Sequence, residues 1–486
     1  MARIHKFGCA TCNRPSMLKR CLSSYLEGCI RQETEIVVAD DSSSASMRQR
    51  NRAEAADLCR RFGVGIFYAG FEEKAIYAKR LMNVARGAAA SIRFALFGGG
   101  IGGTSIGSSR NALLLEMAGG LGVTVDDDIV CRLHAAPGVG QTCTGMTHGA
   151  GPAREIWCFE DRETLLGWLV TVAEAFLAPH EPYLGTALDN GSGTPERIAI
   201  TLTGFAGDCA SDSAAPLLFA GETTFDRVLS SEQAYASATA SREQLHITPS
   251  LRVTDSGSEV MAGCMGLDLS RMCPPFVPNG RGEDALFGAT LTACWPSARI
   301  AHLPVAVLHA PEHPRAFAAV DSIRRNLTVL TLVSSCMSSF DLESAHAGME
   351  RLVKLGRHLQ SVGSSPVHRL AGQVLDSARL QWNGLLRTLE MRLDCRPGPA
   401  CWNRDAHKMM RALRTAIADD QPLTPTEFGA GLLEEGYESA RLFLRGVGDL
   451  FVAWPEIMEA ARRLHHNGVR LASAVIENRE RTFACS

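Results

Sequence analysis

EIVVADDSSS, Glu35 to Ser44, is the stretch on which the fold turns. Four apolar, β-prone residues in a row suit a strand buried on both faces, and they run directly into two acids and three serines. In an open α/β sheet, ligands bind just beyond the carboxyl ends of the strands, so Asp40 and Asp41 are placed for hydrogen bonds to a base or a ribose. Asp and Ser are equally ordinary in turns and helix caps, so the same residues also read as a plain turn.

On either side of this strand, short apolar runs alternate with helical patterns, the grammar of an α/β domain with a mainly parallel sheet. Strands are expected at Ile4 to Gly8, Glu35 to Ala39, Ile66 to Ala69, Ile92 to Phe97 and Val123 to Val125, with helices over Asn13 to Leu26, Met47 to Phe62, Lys74 to Ala89 and Arg110 to Ala118. GGGIGGTSIGSS, Gly98 to Ser109, lacks the GK[ST] ending of a P-loop and reads as a connection or lid. Arg132 to Pro274 gives no clear threading. After Pro314 the β-branched runs give way to amphipathic helices at Ala316 to Met337, Leu342 to Val362, Val367 to Leu393, Arg404 to Ala418, Glu427 to Arg445 and Ile457 to Asn478. Thr424-Pro-Thr-Glu427 reads as a capping box opening the fifth of these. The expected division is an α/β domain over residues 1–315 and a separate all-α domain over 316–486, whose open roles are to hold a binding partner, to form a homo-oligomer or to buttress the first domain.

Composition narrows the function classes. The chain has 486 residues, 46% of them hydrophobic and 21% charged, which suits two or three packed domains and excludes disorder or a fibre. A formal charge of -3 leaves no basic field to attract nucleic acid or an anionic membrane, so partners are recognised locally. Sixteen cysteines spread without repeated spacing point to a reducing cytoplasm rather than a disulfide framework. Met1 to Leu18 lacks the pattern of a signal peptide, and the longest apolar runs, such as Leu327 to Val333, are too short to span a bilayer.

Further acidic segments repeat the theme of the first. GVTVDDDIV, Gly122 to Val130, places Asp126, Asp127 and Asp128 after another buried strand. Adjacent carboxylates repel, which calls for a cation or ligand donors; in extended backbone Asp126 and Asp128 project to one side and Asp127 to the other. Oxygen ligands suit Mg²⁺ or Mn²⁺ held together with a substrate diphosphate, although a solvated acidic turn has the same composition. GRGEDALFG, Gly280 to Gly288, sets Glu283 and Asp284 at a helix start, where acids favour the dipole or can serve as a general base. In ARIAHLPVAVLHAPEHPR, Ala298 to Arg315, His309 ends a strand and could complete an O,O,N metal set; His302 and His313 compete for that role.

Together with TCNRPSMLKRCLSS (Thr11 to Ser24), VVADDSSS and SSRNALLLEMAGG, the VDDDI segment, GRGEDALFG and VAVLHAP occur in an order that resembles the GT-A nucleotide-sugar glycosyltransferases, in particular the inverting family 2. The resemblance spans scattered islands between residues 4 and 315. It implies a GT-A, Rossmann-like sheet that is mixed but mainly parallel, flanked by helices, with a nucleotide-sugar donor, favouring UDP, and Mn²⁺ or Mg²⁺. It further implies that Asp40 and Asp41 contact the nucleoside, that Asn13, Arg14, Arg110 and Asp127 line the donor pocket, and that Asp126, Asp128 and His309 hold the ion. Asp284, with Glu283 beside it, becomes the catalytic base toward an acceptor that is a saccharide, a small molecule, a lipid carrier or a peptide. Rival readings are a nucleotidyltransferase, a non-catalytic nucleotide-sugar scaffold, and a redox protein built on Cys9-Ala-Thr-Cys12.

Overall fold

The computed structural model describes residues 3–28, 34–101, 105–138, 147–148, 154–188, 195–313, 315–341, 346–429 and 431–476. The first part alternates β1 (Lys6–Thr11), α1 (Pro15–Glu27), β2 (Glu35–Asp40), α2 (Ala45–Phe62), β3 (Ile66–Ala69) and α3 (Phe71–Val84). It continues with α4 (Ala89–Phe97), α5 (Ile106–Glu116), β4 (Leu121–Asp126) and β5 (Ile129–Ala135). In β2, Ile36 and Val38 enter one core while Val37 and Ala39 enter another, so the strand is apolar throughout because both faces are covered. Each of the Ile and Val side chains contributes about 1.5–3 kcal/mol by leaving water. On β1, a Cβ at Gly8 would stand 2.6 Å from Met117 Cε and 2.9 Å from Leu113 Cδ2, so glycine lets α5 lie close on the sheet.

The middle of the chain supplies β6 (Thr147–His148), β7 (Glu155–Cys158), α6 (Arg162–Trp168), β8 (Val170–Thr171), β9 (Ala187–Leu188) and β10 (Glu196–Asp208). After these come α7 (Glu222–Val228), α8 (Glu232–Ala240), β11 (Glu243–Ile247), β12 (Arg252–Thr254), β13 (Cys264–Asp268), α9 (Glu283–Cys294) and β14 (Ala298–His309). The C-terminal helical region holds α10 (Val329–Ser338), α11 (Met349–Gly363), α12 (Val367–Cys395), α13 (Ala400–Ala418) and α14 (Leu433–His466), and β15 (Ser473–Ala474) follows.

The protein is thus α/β, with one mixed sheet in the order β15-β3-β2-β1-β4-β13-β10-β14-β12-β6. β3, β2, β1 and β4 are parallel, β13 runs antiparallel to both β4 and β10, and β10 is parallel to β14. The chain steps outward from β1 to β3, then crosses back to place β4 on the other side of β1. At that reversal the loops leaving β1 and β4 lie side by side, where ligands of open α/β sheets commonly bind. One buried cluster runs from sheet residues such as Ile200 and Leu202 to Leu444, Phe451 and Trp454 of α14, and Trp454 Nε1 donates to the Cys273 carbonyl at 2.8 Å. No helix among the described residues is long and apolar enough to cross a membrane.

Several expectations are corrected. Ile92 to Phe97 belongs to a helix, α4, in which Ser91, Ile92, Ala95 and Leu96 are buried; a short apolar run does not separate strand from helix until its spacing is met by neighbours. Arg110 lies inside α5 rather than at its start, and Asn13 and Arg14 precede α1. Ala316 to Met337 is helical only over α10. Residues 342–345, 430, 477 and 478 of three expected helices, and 102–104 of the glycine-rich loop, lie outside the described residues. The two expected helices at Glu427 and Ile457 are one, α14, whose buried stripe of Val447, Leu450, Phe451, Trp454, Ile457 and Met458 passes through Pro455.

The capping box at Thr424 is also corrected. Thr424 bridges to Asn326, and the Glu427 carboxylate accepts from Val329 N at 2.7 Å, so it caps α10 from far along the chain. α14 starts later, where Glu435 Oε2 accepts from Leu432 N at 3.3 Å.

Candidate active site

The loops leaving β1, β2 and β4, the end of β14 and the start of α9 meet at one end of the sheet. At the end of β1, Asn13 has a φ of 58°, donates from its backbone to Ser42 Oγ at 2.8 Å and accepts from Ser43 N at 3.2 Å. This joins the β1 and β2 loops. Asp40 turns into the fold. It is fully buried and accepts from Ser42 N at 2.7 Å, Asn51 Nδ2 at 2.8 Å and Tyr68 Oη at 2.5 Å, so its carboxylate ties β2 to α2 and β3 instead of meeting a nucleoside. Asp41 is different: Lys74 of α3 pairs with Oδ1, while Oδ2 is buried without a partner.

Asp127 and Asp128 form the turn between β4 and β5, so the alternation expected of an extended strand does not apply to them. Two arginines serve the three acids of the triplet. Arg110 Nη2 meets both Asp126 oxygens, at 2.9 and 3.1 Å, and its Nε meets Glu283 Oε1 at 3.2 Å. Arg14 Nη1 bridges Asp127 Oδ1 at 3.2 Å and Asp128 Oδ2 at 3.4 Å. Thr11 Oγ1 donates to Asp127 Oδ2 at 2.7 Å, and Arg20 donates to the carbonyls of Asp128 and Ala310.

Burial raises these acids against their cations. It pushes the Asp126 carboxyl up to about 6 and that of Glu283 to about 7 despite Arg110, and that of Asp127 to about 7 with the Asp128 charge adding to it. For Asp128, burial acts the same way, but the hydrogen bond and charge of His309 outweigh it and hold the carboxyl below the usual range.

His309 ends β14 with Nδ1 2.5 Å from the Asp208 carbonyl and Nε2 3.6 Å from Asp128 Oδ2. A carbonyl only accepts, so Nδ1 carries the proton and Nε2 of the neutral ring turns its lone pair to a carboxylate. A second proton or a cation relieves that opposition. Burial disfavours the imidazolium, but Asp128 reverses the balance and raises the His309 pKa. Asp208 is itself held by Arg242, at 2.9 Å to each oxygen, and by Arg315 at 2.8 Å. The competing histidines do not join the site: His302 is buried against Thr254, and His313 is exposed.

Asp128 and His309 are the residues that fit a divalent ion. Their 3.6 Å separation is less than two bonds of about 2.1 Å laid end to end, and Mg²⁺ is commonly held by one or two side chains plus substrate phosphates. The expected set of Asp126, Asp128 and His309 is not assembled, because Asp126 is engaged by Arg110. Among the described residues no three His, Cys, Asp or Glu side chains are gathered in a metal-holding group.

Glu283 and Asp284 open α9. Gly282 before them has a φ of 84°, and a Cβ there would also stand 2.8 Å from Leu330 Cδ2, so glycine permits the turn that presents the two acids. Asp284 Oδ2 accepts from Ala262 N at 3.3 Å, while the Ala262 carbonyl accepts from Arg110 Nη1 at 3.1 Å. One short segment therefore spaces Asp284 from the Arg110 pair.

Sequence reasoning missed Thr11, Arg20, Asp208 and Lys74. A signal existed for Lys74: with Tyr77, Ala78 and Leu81 it lies on the buried stripe of α3, where a lone lysine requires a partner. The Cys9-x-x-Cys12 reading is not supported by the placement of its thiols. Cys9 is in the core, 3.9 Å from Cys21, which is 3.8 Å from Cys131, whereas Cys12 is exposed and donates to the Asp41 carbonyl.

The arrangement amounts to a cluster of carboxylates and their partners at the reversal point of an α/β sheet. Comparison with known protein families, with curated proteins and with solved structures finds no match to this chain.

Proposed function

We propose that this chain is a metal-assisted glycosyltransferase, moving a sugar from a nucleoside diphosphate donor, with UDP favoured, to an acceptor hydroxyl with inversion. The observation that carries this reading is the meeting, at one end of the sheet, of Asp41 with an unpaired oxygen, the Asp128–His309 pair and the Asp284 carboxylate. The GT-A resemblance supplies the reaction class. The described cysteines are free thiols, which supports a cytoplasmic setting.

In this mechanism Asp41 accepts a hydrogen bond from the nucleoside. Arg14, whose side chain is 48% exposed, turns from Asp127 and Asp128 toward the diphosphate as it enters. Asp128 and His309 would hold a divalent ion, which when bound would supply Lewis-acid stabilisation of the leaving group. Asp284 takes the proton of the acceptor hydroxyl as its oxygen bonds to the anomeric carbon; the bond to the diphosphate breaks on the opposite side. Arg110 holds Asp126 and Glu283 and keeps α5 and α9 in register around the base.

The test is turnover of a panel of nucleotide sugars, with Mn²⁺ and with acceptor omitted or supplied. Asp128→Ala and Asp284→Asn should each fold and lose transfer; transfer near the wild-type rate by both removes the mechanism. The engagement of Asp126 and Asp127 by arginines favours one alternative, a scaffold that binds nucleotide sugar without turning it over. Tight UDP-sugar binding with neither hydrolysis nor transfer would select it.

A further inference from the structure

Beside the Asp41 carboxylate stand two aromatic rings to which the site as described gives no task. Phe71 opens α3 and is 52% exposed; Phe97 closes α4 and is partly buried, and their centroids are 5.3 Å apart at an interplanar angle of 63°. Lys74, whose ammonium pairs with Asp41, lies 5.9 Å from the Phe97 centroid, and the Arg48 guanidinium lies 5.5 Å from the Phe71 centroid. A half-exposed phenylalanine at the first position of a helix adds nothing to the core that a polar residue would not.

We infer that Phe71 and Phe97 form the stacking wall for the donor's nucleobase, with Asp41 Oδ2 accepting from the base or its ribose. The inference rests on the nucleotide-sugar reading and assigns it a base-recognising surface. The chemistry of the occupant follows from the pairing of features. Aromatic rings take any planar π-face, and an unpaired buried carboxylate oxygen requires an N–H or O–H donor. A nucleoside offers both. An acyl chain would cover the rings and leave Asp41 Oδ2 unpaired, and a phosphate placed there would repel it.

The experiment is titration calorimetry of the full chain, in Mn²⁺, with UDP and with inorganic pyrophosphate as the base-free probe. Phe71→Ala should weaken UDP binding by about tenfold, within the range of base-stacking losses, leave pyrophosphate affinity unchanged, and be rescued by Phe71→Tyr. Because Phe71 is more than half exposed, its truncation leaves the core intact. Phe97→Leu, which keeps apolar bulk but not the ring, should also weaken UDP alone. Equal UDP affinity in wild type and both variants overturns the wall and leaves the nucleotide reading standing. Parallel loss of UDP and pyrophosphate also overturns it, since stacking would spare the latter. If the wild-type protein binds neither UDP nor pyrophosphate, the proposed function fails and the wall with it.

Discussion

Arg110 and Asp126 form a two-contact ion pair inside the protein, with one guanidinium nitrogen 2.9 and 3.1 Å from the two carboxylate oxygens. The same arginine meets Glu283, so one buried cation joins the end of β4 to the start of α9. Its removal leaves a buried Glu283 and a partly buried Asp126 without their cation.

Arg110→Met is therefore expected to destabilise the fold by about 3–5 kcal/mol, the usual result of deleting one member of a buried charge set. Urea unfolding at pH 7 reads this. A second change, Glu283→Gln in the Arg110→Met background, should recover part of the loss; no recovery would mean that the two residues are not energetically coupled.

Asp128 and His309 make a different prediction, because in the proposed mechanism they would hold the ion. His309→Ala and Asp128→Asn should each lower Mn²⁺ affinity, measured in the presence of UDP, by at least about tenfold. Wild-type affinity in both variants would place the ion elsewhere. Asp208→Asn is expected to act more weakly, since only its backbone carbonyl holds the imidazole.

Stability should fall as the solution is acidified, in part through buried neutral histidines. Burial lowers His180 from 6.5 to about 3, and does the same for His246 and His302 with neighbouring arginines adding to it. Between those values the unfolded chain binds more protons than the folded one, so each histidine removes up to about 1.4 kcal/mol per pH unit as pH drops from 6.5 toward 3. His180→Gln should flatten the curve of unfolding free energy against pH between 6 and 4 by about that slope. An unchanged slope would show that His180 is protonated or solvated in the folded state.

Glu116 anchors the end of the described chain. It is fully buried, accepts from Leu471 N at 3.0 Å and Ala472 N at 3.2 Å, and pairs with Arg470 and Lys6. Burial would raise its carboxyl, but the Lys6 and Arg470 charges outweigh that and lower it. Glu116→Ala should free residues 470–476 from the edge of β3, read as fast hydrogen exchange at Leu471 and Ala472 and cleavage by trypsin after Arg470. Protection equal to wild type would assign the anchoring to β15 alone.

Local pattern carried much of the fold. Val37 and Val38 could be read as a doubly buried strand without knowing what covered them, and Asp41, Asp126 to Asp128 and His309 follow from strands that end there, because strand direction dictates which residues reach the carboxyl edge. What covered those strands was not legible. Whether Ile92 to Phe97 extends or coils was settled by packing against α5 and α14, since so short a run, with five apolar residues and Arg93, satisfies either period.

The sequence by itself determined an α/β architecture whose acidic strand ends share one end of the sheet, because hydrophobic period and strand polarity are properties of neighbouring residues. Only the tertiary structure decided what each acid does: Asp40 is spent on Asn51 and Tyr68, Asp126 on Arg110, Asp41 on Lys74 with one oxygen left over, and Asp128 on Arg14 and His309. Those partners lie between 11 and 181 positions away or at neighbouring turns, and a charge chooses its partner by distance and dielectric in three dimensions, which no local spacing encodes.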